Sequence, residues 1–166
     1  MKEQWLHPQV GPFFDYLKRY ASDRGALANL RGALSEARRA NAWPLLGGFQ
    51  HGAAIGKSAF EKVAGLWASD PDTSPTNGNF GATLARLKTD HNSFEGRFKR
   101  LLTCDKEEIV DRVVPVVRAA QAKGVAVNYP RLLSDLLCWN DKVQVEWARA
   151  FWSGATEAPE QEGGEA

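Results

Sequence analysis

Arg24, Arg31 and Arg38 recur every seven residues, and at 100° per residue that spacing keeps three guanidinium groups within about 40° of one another on a continuous helix. Leu27, Leu30 and Leu34 occupy the neighbouring face. One face would pack while the other forms a cationic ridge of about 21 Å, long enough to follow several phosphates of a nucleic-acid backbone, with Arg39 adding a charge at its end. A solubilising surface that includes Glu36 is the ordinary alternative. A second basic group is Arg86, Lys88, Arg97, Lys99 and Arg100, divided between two short helical patterns joined by Thr89-Asp90-His91-Asn92, a connection compatible with an antiparallel pair. The competing reading has Arg97 and Arg100 neutralised by Glu95, Asp105 or other carboxylates.

Other chemistry fails on spacing. HGAAIGKS at 51–58 ends in the Gly-Lys-Ser of a nucleotide-binding loop, but Gly52 and Gly56 enclose three residues instead of four and no hydrophobic strand precedes them. Lys57 remains a phosphate contact as a simple cation, placed ahead of an apolar helix starting near Ser58. His7, His51 and His91 have no partner His, Cys or paired carboxylate at ligand spacing, so neither a metal site nor a histidine dyad can be argued. Asp90-His91 reads as a loop dipeptide. No set of nucleophile, base and oxyanion donors assembles, so no catalytic residue, metal or cofactor is expected and the chain is not read as an enzyme. Trp139, Trp147 and Trp152 have the aromatic faces to stack on bases, yet their helical spacing beside Leu136, Val143 and Phe151 favours core packing or a subunit interface.

These residues must be held by helices, because the longest period-two run is Val125-Ala126-Val127. The patterns predict an all-α bundle of about eight helices, near 10–22, 24–41, 53–69, 80–89, 93–103, 106–123, 130–139 and 142–153. Asp105 has an N-cap position with Glu108 three residues on, Lys123-Gly124 is a stop, Tyr129-Pro130 suits a first turn, and Asp141 is read as the cap of the last helix. Pro115 inside 106–123 removes a hydrogen bond and clashes one turn back, at a cost of about 3 kcal/mol, which predicts a kink or two helices. Gly25 and Gly32 inside 24–41 suggest another backbone passing close by. Asp70 to Asn79, DPDTSPTNGN, is the clearest loop, the expected disordered internal segment and the place where two lobes would divide.

The chain has 166 residues, enough for one domain that buries about 70% of its unfolded surface without a disulfide or metal. We expect that domain over 1–155, followed by a disordered acidic tail over 156–166. The formal charge of +1 hides this division, since TEAPEQEGGEA holds four Glu and no base and leaves the remainder mildly basic. Cys104 and Cys138 fall in apolar helical patterns and are expected as reduced core thiols. No long uncharged apolar run is present and Met1 to Gln9 has no signal-peptide core, so a cytoplasmic protein is expected.

Four segments in order, FGATLARL at 80–87, RFKRLLTCDKEEI at 97–109, LLSDLLCW at 132–139 and WARAFW at 147–152, resemble the small subunit of the type I-E CRISPR Cascade complex, the CasB family. The likeness is strongest over about Phe80 to Trp152; Phe13 to Leu46 is similar in layout, with a short aromatic helix, an Arg-bearing helix and a Trp-Pro restart. The resemblance implies a non-catalytic all-α subunit, present as a pair in an RNA-guided surveillance complex, lying along the backbone subunits and beside the large subunit. Its implied task is to steady target and displaced DNA strands, with guide RNA nearby, by contacts that read no sequence. That role falls on Arg31, Arg38, Lys57, Arg86, Arg97 and Arg100, with Arg39, Lys99 and Lys142 ranked below them. The alternative is a helical adaptor whose Trp-rich C-terminal face binds a protein while its basic residues only solubilise it.

Overall fold

Capping side chains set four of the helix starts. A computed structural model describes residues 6–71, 77–87 and 92–153, and among them the order is α1 (Val10–Leu17), α2 (Arg24–Arg31), α3 (Trp43–Leu46), α4 (Ser58–Ala68), α5 (Phe80–Leu87), α6 (Asn92–Leu102), α7 (Lys106–Ala122), α8 (Tyr129–Leu137) and α9 (Asp141–Trp152). No strand occurs among these residues, so the fold is all-α as the patterning predicts. Asp23 accepts from the Ala26 amide, and Asn128 accepts from that of Arg131. Asp105 accepts from the Glu107 and Glu108 amides while the Glu108 carboxylate accepts from the Asp105 amide, completing the expected capping box. The cap of α9 is Asn140, which accepts from the Val143 amide, one residue ahead of the expected Asp141.

α7 stops as predicted. Gly124 adopts a left-handed φ of 73°, the Val125 amide donates to the Ala120 carbonyl and the Gly124 amide to that of Gln121, a Schellman closure. The helix nevertheless runs unbroken through Pro115. Pro115 and Asp111 are both exposed, so the carbonyl that the proline leaves without an amide partner faces water, where its loss is smallest.

At the centre is α4, with nine of its eleven residues buried and α2, α7 and α8 packed around it. α1 lies on α8, and α5 on α9. Three aromatic groups fill the joints: Phe13, Phe49 and Phe60; Phe80, Trp139 and Trp147; Phe98, Phe151 and Trp152. All but the exposed Trp152 belong to one apolar cluster reaching from Val10 to Phe151, which couples the helices before residue 70 to those after residue 79. α5 and α9 approach so closely that a Cβ on Gly81 would lie 2.1 Å from the Trp147 carbonyl oxygen.

The main departure from the sequence reading is the helix expected over 24–41. α2 ends at Arg31, a 3₁₀ turn carries Gly32 to Leu34, and Ser35 is extended at φ −121°, ψ 133°. The chain then doubles back so far that a Cβ on Gly32 would stand 2.7 Å from the Arg38 carbonyl oxygen, the close backbone approach that Gly32 suggested. No such approach occurs at Gly25. The seven-residue register of Arg24, Arg31 and Arg38 is therefore not a helical ridge. Two smaller corrections accompany it. α1 stops at Leu17 and passes into a 3₁₀ turn over Lys18–Tyr20, and α4 begins at Ser58 rather than 53. Cys104 is buried, but Cys138 sits at the C-cap of α8, where the chain turns toward α9, and is exposed. Residues 72–76 of the expected loop, Lys88, His91 and the expected tail over 156–166 lie outside the described residues.

Gly81→Ala is expected to force α5 and α9 apart and to destabilise the chain by about 2–3 kcal/mol. Urea unfolding measures it, and an unchanged midpoint would show that the two helices do not need this contact.

Candidate nucleic-acid interface

Six arginines without an ion pair gather on two flanks of α7. On one, Arg97 and Arg100 of α6 face Arg112 of α7 across a cleft of about 320 Å³ whose remaining lining is Leu101, Cys104, Pro115 and Val116. On the other, Arg31 and Arg38 meet Arg118 around a cleft of about 400 Å³ completed by Ala28, Gly32, Leu34 and Ser35. No carboxylate lines either cleft. All six arginines are exposed, and among the described residues none lies within ion-pair distance of an acid. Arg31 spends one donor on the Ala68 carbonyl at 3.2 Å, and Arg97 lies 6.0 Å from the Phe94 ring centroid. Arg112 and Arg118 are about 9 Å apart along the helix axis and about 120° apart around it, with Pro115 midway between them.

The chain reversal after α2 thus brings together two residues of the expected ridge by a different route. Arg38 reaches the cleft from a non-helical position, φ −114° and ψ 9°, while Arg24 stays exposed at the start of α2. Arg112 and Arg118 were not singled out in the sequence. Their signal was available, since both fall on the polar face of KEEIVDRVVPVVRAAQA, but only the packing of α6 and of the turn after α2 against α7 shows what they face.

Arg39 is committed elsewhere. Its Nε donates to Glu61 Oε1 at 2.6 Å, and the Glu61 carboxylate also accepts from Trp43 Nε1 at 2.9 Å and the Gly56 amide at 2.7 Å. Burial opposes ionisation of Glu61, whose side chain is 2% exposed, yet the bonds from Arg39, Gly56 and Trp43 and the charge of Arg39 outweigh it and hold the carboxyl below its ordinary range. This also settles the geometry of HGAAIGKS, because the Gly56 amide that a phosphate cradle would aim outward is taken by Glu61. Lys57 is the exposed N-cap residue of α4, beside a first turn that Glu61 already occupies.

The sequence matches a known family. A family model described as CRISPR-associated protein Cse2 covers residues 26–152, a span that contains all six arginines. The chain belongs to the Cse2 family. This is the CasB family that the sequence resembles. CasB from M. ruber is similar over 93% of this chain and 97% of its own, at 28% identity and a TM-score of 0.71. CasB from Thermus thermophilus is similar over 87% of this chain and 97% of its own, at 27% identity and a TM-score of 0.69. A chain of a CRISPR RNA-guided surveillance complex shares the fold at 18% identity, with a TM-score of 0.72 over 93% of this chain and 96% of that one. No curated protein matches the sequence.

In this Cse2 chain the other expected contacts are dispersed. Arg86 is exposed on the last turn of α5 and reaches back to the Asn77 carbonyl at 3.4 Å. Lys99 is exposed on α6 outside the cleft that Arg97 and Arg100 line. Lys142 lies in a groove of about 870 Å³ between α8 and α9, where Arg131 and Arg149 are matched by Asp135 and Glu146. Asp135 bonds Arg131 at 3.5 Å and accepts from Trp147 Nε1 at 2.7 Å; burial nevertheless pushes its carboxyl above the usual value. Burial also raises the Cys104 thiol, which keeps it protonated. Among the described residues no group of His, Cys, Asp and Glu could hold a metal, and no helix is long and apolar enough to cross a membrane.

Arg39→Ala is expected to lower the urea midpoint and to leave nucleic-acid affinity unchanged; the reverse pattern would return Arg39 to the interface. Glu61 is depressed in the folded state, so its contribution is complete above the unfolded carboxyl value and is lost as pH falls through the lower folded value. The stability difference between wild type and Glu61→Gln should accordingly be full at pH 7 and close below about pH 4. A pH-independent difference would show that packing, and not the charge, is what Glu61 supplies.

Proposed function

We propose that this Cse2 chain is the non-catalytic small subunit of an RNA-guided CRISPR surveillance complex and that it steadies the R-loop through arginine contacts to DNA backbones. The observation that carries the reading is the pair of carboxylate-free clefts on α7, each rimmed by three exposed arginines. Guanidinium forks suit phosphate oxygens in a bidentate way, and a surface that reads only backbones needs no Asn or Gln laid out toward base edges. Exchange of a DNA duplex for an RNA–DNA heteroduplex is nearly balanced in energy, so a few backbone contacts suffice to tip it. The axial offset of about 9 Å between Arg112 and Arg118 corresponds to two or three nucleotides of one strand at about 3.4 Å each.

The site residues we assign are Arg31, Arg38, Arg97 and Arg100 from the sequence reading, now joined by Arg112 and Arg118. Lys57 and Arg86 stand apart from both clefts and rank below them, with Lys99 and Lys142. The partners are the backbone and large subunits, a second copy of the chain, and the target and displaced strands near the guide RNA; the setting is cytoplasmic. A protein-contact surface has its own support, because Val145 and Trp152, the two exposed large apolar side chains among the described residues, share one face of α9 with Arg149. Trp139 and Trp147 are core. The adaptor reading therefore shrinks from a Trp-rich face to a narrow stripe suited to a neighbouring subunit, and it coexists with DNA contact.

Changing Arg97, Arg100 and Arg112 to Ala is expected to lower the magnitude of the log–log salt slope of single-stranded DNA binding by about 2–3, with circular dichroism unchanged. In an assembled complex the same variant should release the R-loop sooner. An unchanged slope and an unchanged R-loop lifetime together would leave only the adaptor.

A further inference from the structure

α9 ends against α6, the helix that forms one wall of an arginine cleft. The Trp152 indole donates to Glu95 Oε2 of α6 at 3.0 Å, its ring lies 5.3 Å from that of Phe98, and Phe151 packs 4.2 Å from the same ring. Phe98 and Glu95 lie about 100° and 160° around α6 from Arg97, so the chain leaves Ser153 on the far side of the helix that carries Arg97 and Arg100, about one helix width from the cleft that these two and Arg112 line. Those residues contain Glu157, Glu160, Glu162 and Glu165 and no base. An extended chain gains about 3.3 Å per residue and a helix with its side chains is about 10–12 Å across. Five residues of extended chain beyond Trp152 would span about 16 Å, so Glu157 is within tether reach of the far side of α6.

Charge selects this cleft over the nearest competitor. The groove between α8 and α9 also borders Ser153, but Asp135 and Glu146 offset two of its three cations, Arg131, Lys142 and Arg149, and leave it less positive than the α6/α7 cleft. The α6/α7 cleft has three arginines, an apolar floor and no acid. Residues 154–166 are Gly, Ala, Pro, Thr, Gln and Glu, a composition that offers a neighbour little besides carboxylates. We propose that this Glu-rich C-terminal segment docks across the Arg97–Arg100–Arg112 cleft and competes there with a nucleic-acid backbone. The docking stands on position and charge; the competition rests on the DNA-contact reading above. A carboxylate and a phosphate present the same paired oxygens to a guanidinium fork, so one arginine set cannot hold both at once. Tethering places the segment at an effective concentration in the millimolar range, enough for weak ion pairs to close the cleft until a polyanion of higher charge density displaces them.

The test uses the full chain with Glu157, Glu160, Glu162 and Glu165 all changed to Gln, and a fluorescein-labelled peptide of residues 154–166 as probe. At about 50 mM salt the peptide should bind this variant and bind at least about tenfold more weakly once Arg97→Glu, Arg100→Glu and Arg112→Glu are added. Single-stranded DNA should bind the glutamine variant about three- to tenfold more tightly than wild type, with the gap closing above about 0.3 M salt. Circular dichroism melts establish that both variants fold. Absence of peptide binding, or peptide binding indifferent to the three arginines, overturns the docking even if DNA still uses the cleft. Peptide binding with DNA affinity unchanged by the tail charges upholds the docking and removes DNA from this cleft.

Discussion

Glu61 is the constraint on which the N-terminal half of the molecule is arranged. It sits in the first turn of α4, a helix wrapped by α2, α7 and α8, and an ionised carboxylate so placed is tolerable only with its oxygens fully bonded. Arg39, Trp43 and the Gly56 amide supply those bonds from two separate stretches of chain. The reversal after α2 brings Arg39 and Trp43 to it, and the turn at 52–57 brings Gly56. A straight helix over 24–41 would have carried Arg39 away from α4 and left the charge buried alone. The broken helix is thus a consequence of satisfying one acid, and the position of Arg38, one residue before Arg39, follows from the same reversal.

α7 plays the corresponding part for the surface. Its apolar stripe of Ile109, Val113, Val116, Val117 and Ala120 anchors it to the core, and its other side stands between α6 and the turn after α2. Pro115 costs the helix a backbone bond on the exposed side, between Arg112 and Arg118. The capping box at Asp105 and the Schellman closure at Gly124 secure the two ends, which is how a helix with an interior proline stays continuous and keeps its arginines in register.

Signals that act within a few residues were legible in the sequence. The capping box, the Tyr129-Pro130 start, the Gly124 stop and the apolar stripes all appear in the structure close to where the pattern put them, because each is fixed by neighbours in the chain. The basic ridge failed for the opposite reason. Helical periodicity across Gly32 and Ser35 assumes that nothing distant competes, and a carboxylate more than twenty residues away at Glu61 did. Arg112 and Arg118 were hidden likewise: their faces were readable, their opposite walls were not. Cys138 and Trp152 show the same limit at helix ends, where an apolar pattern continues although the core does not.

The contrast between paired and unpaired arginines decides how the surface should be understood. Arg39 and Arg131 each hold a carboxylate that is shielded from water, and so they belong to the fold. The six cleft arginines hold none, and grouping three like charges is mildly unfavourable, about 0.6 kcal/mol per pair at 7 Å in a water-like dielectric. A fold tolerates that small repulsion, and the acids nearest the α6/α7 cleft, Asp105 and Glu108, stand outside its lining and form no ion pair with its arginines. The repulsion is relieved only when an anion enters the cleft. A phosphate backbone and an acidic peptide segment both meet that requirement, and the sequence carries one of the two directly after α9.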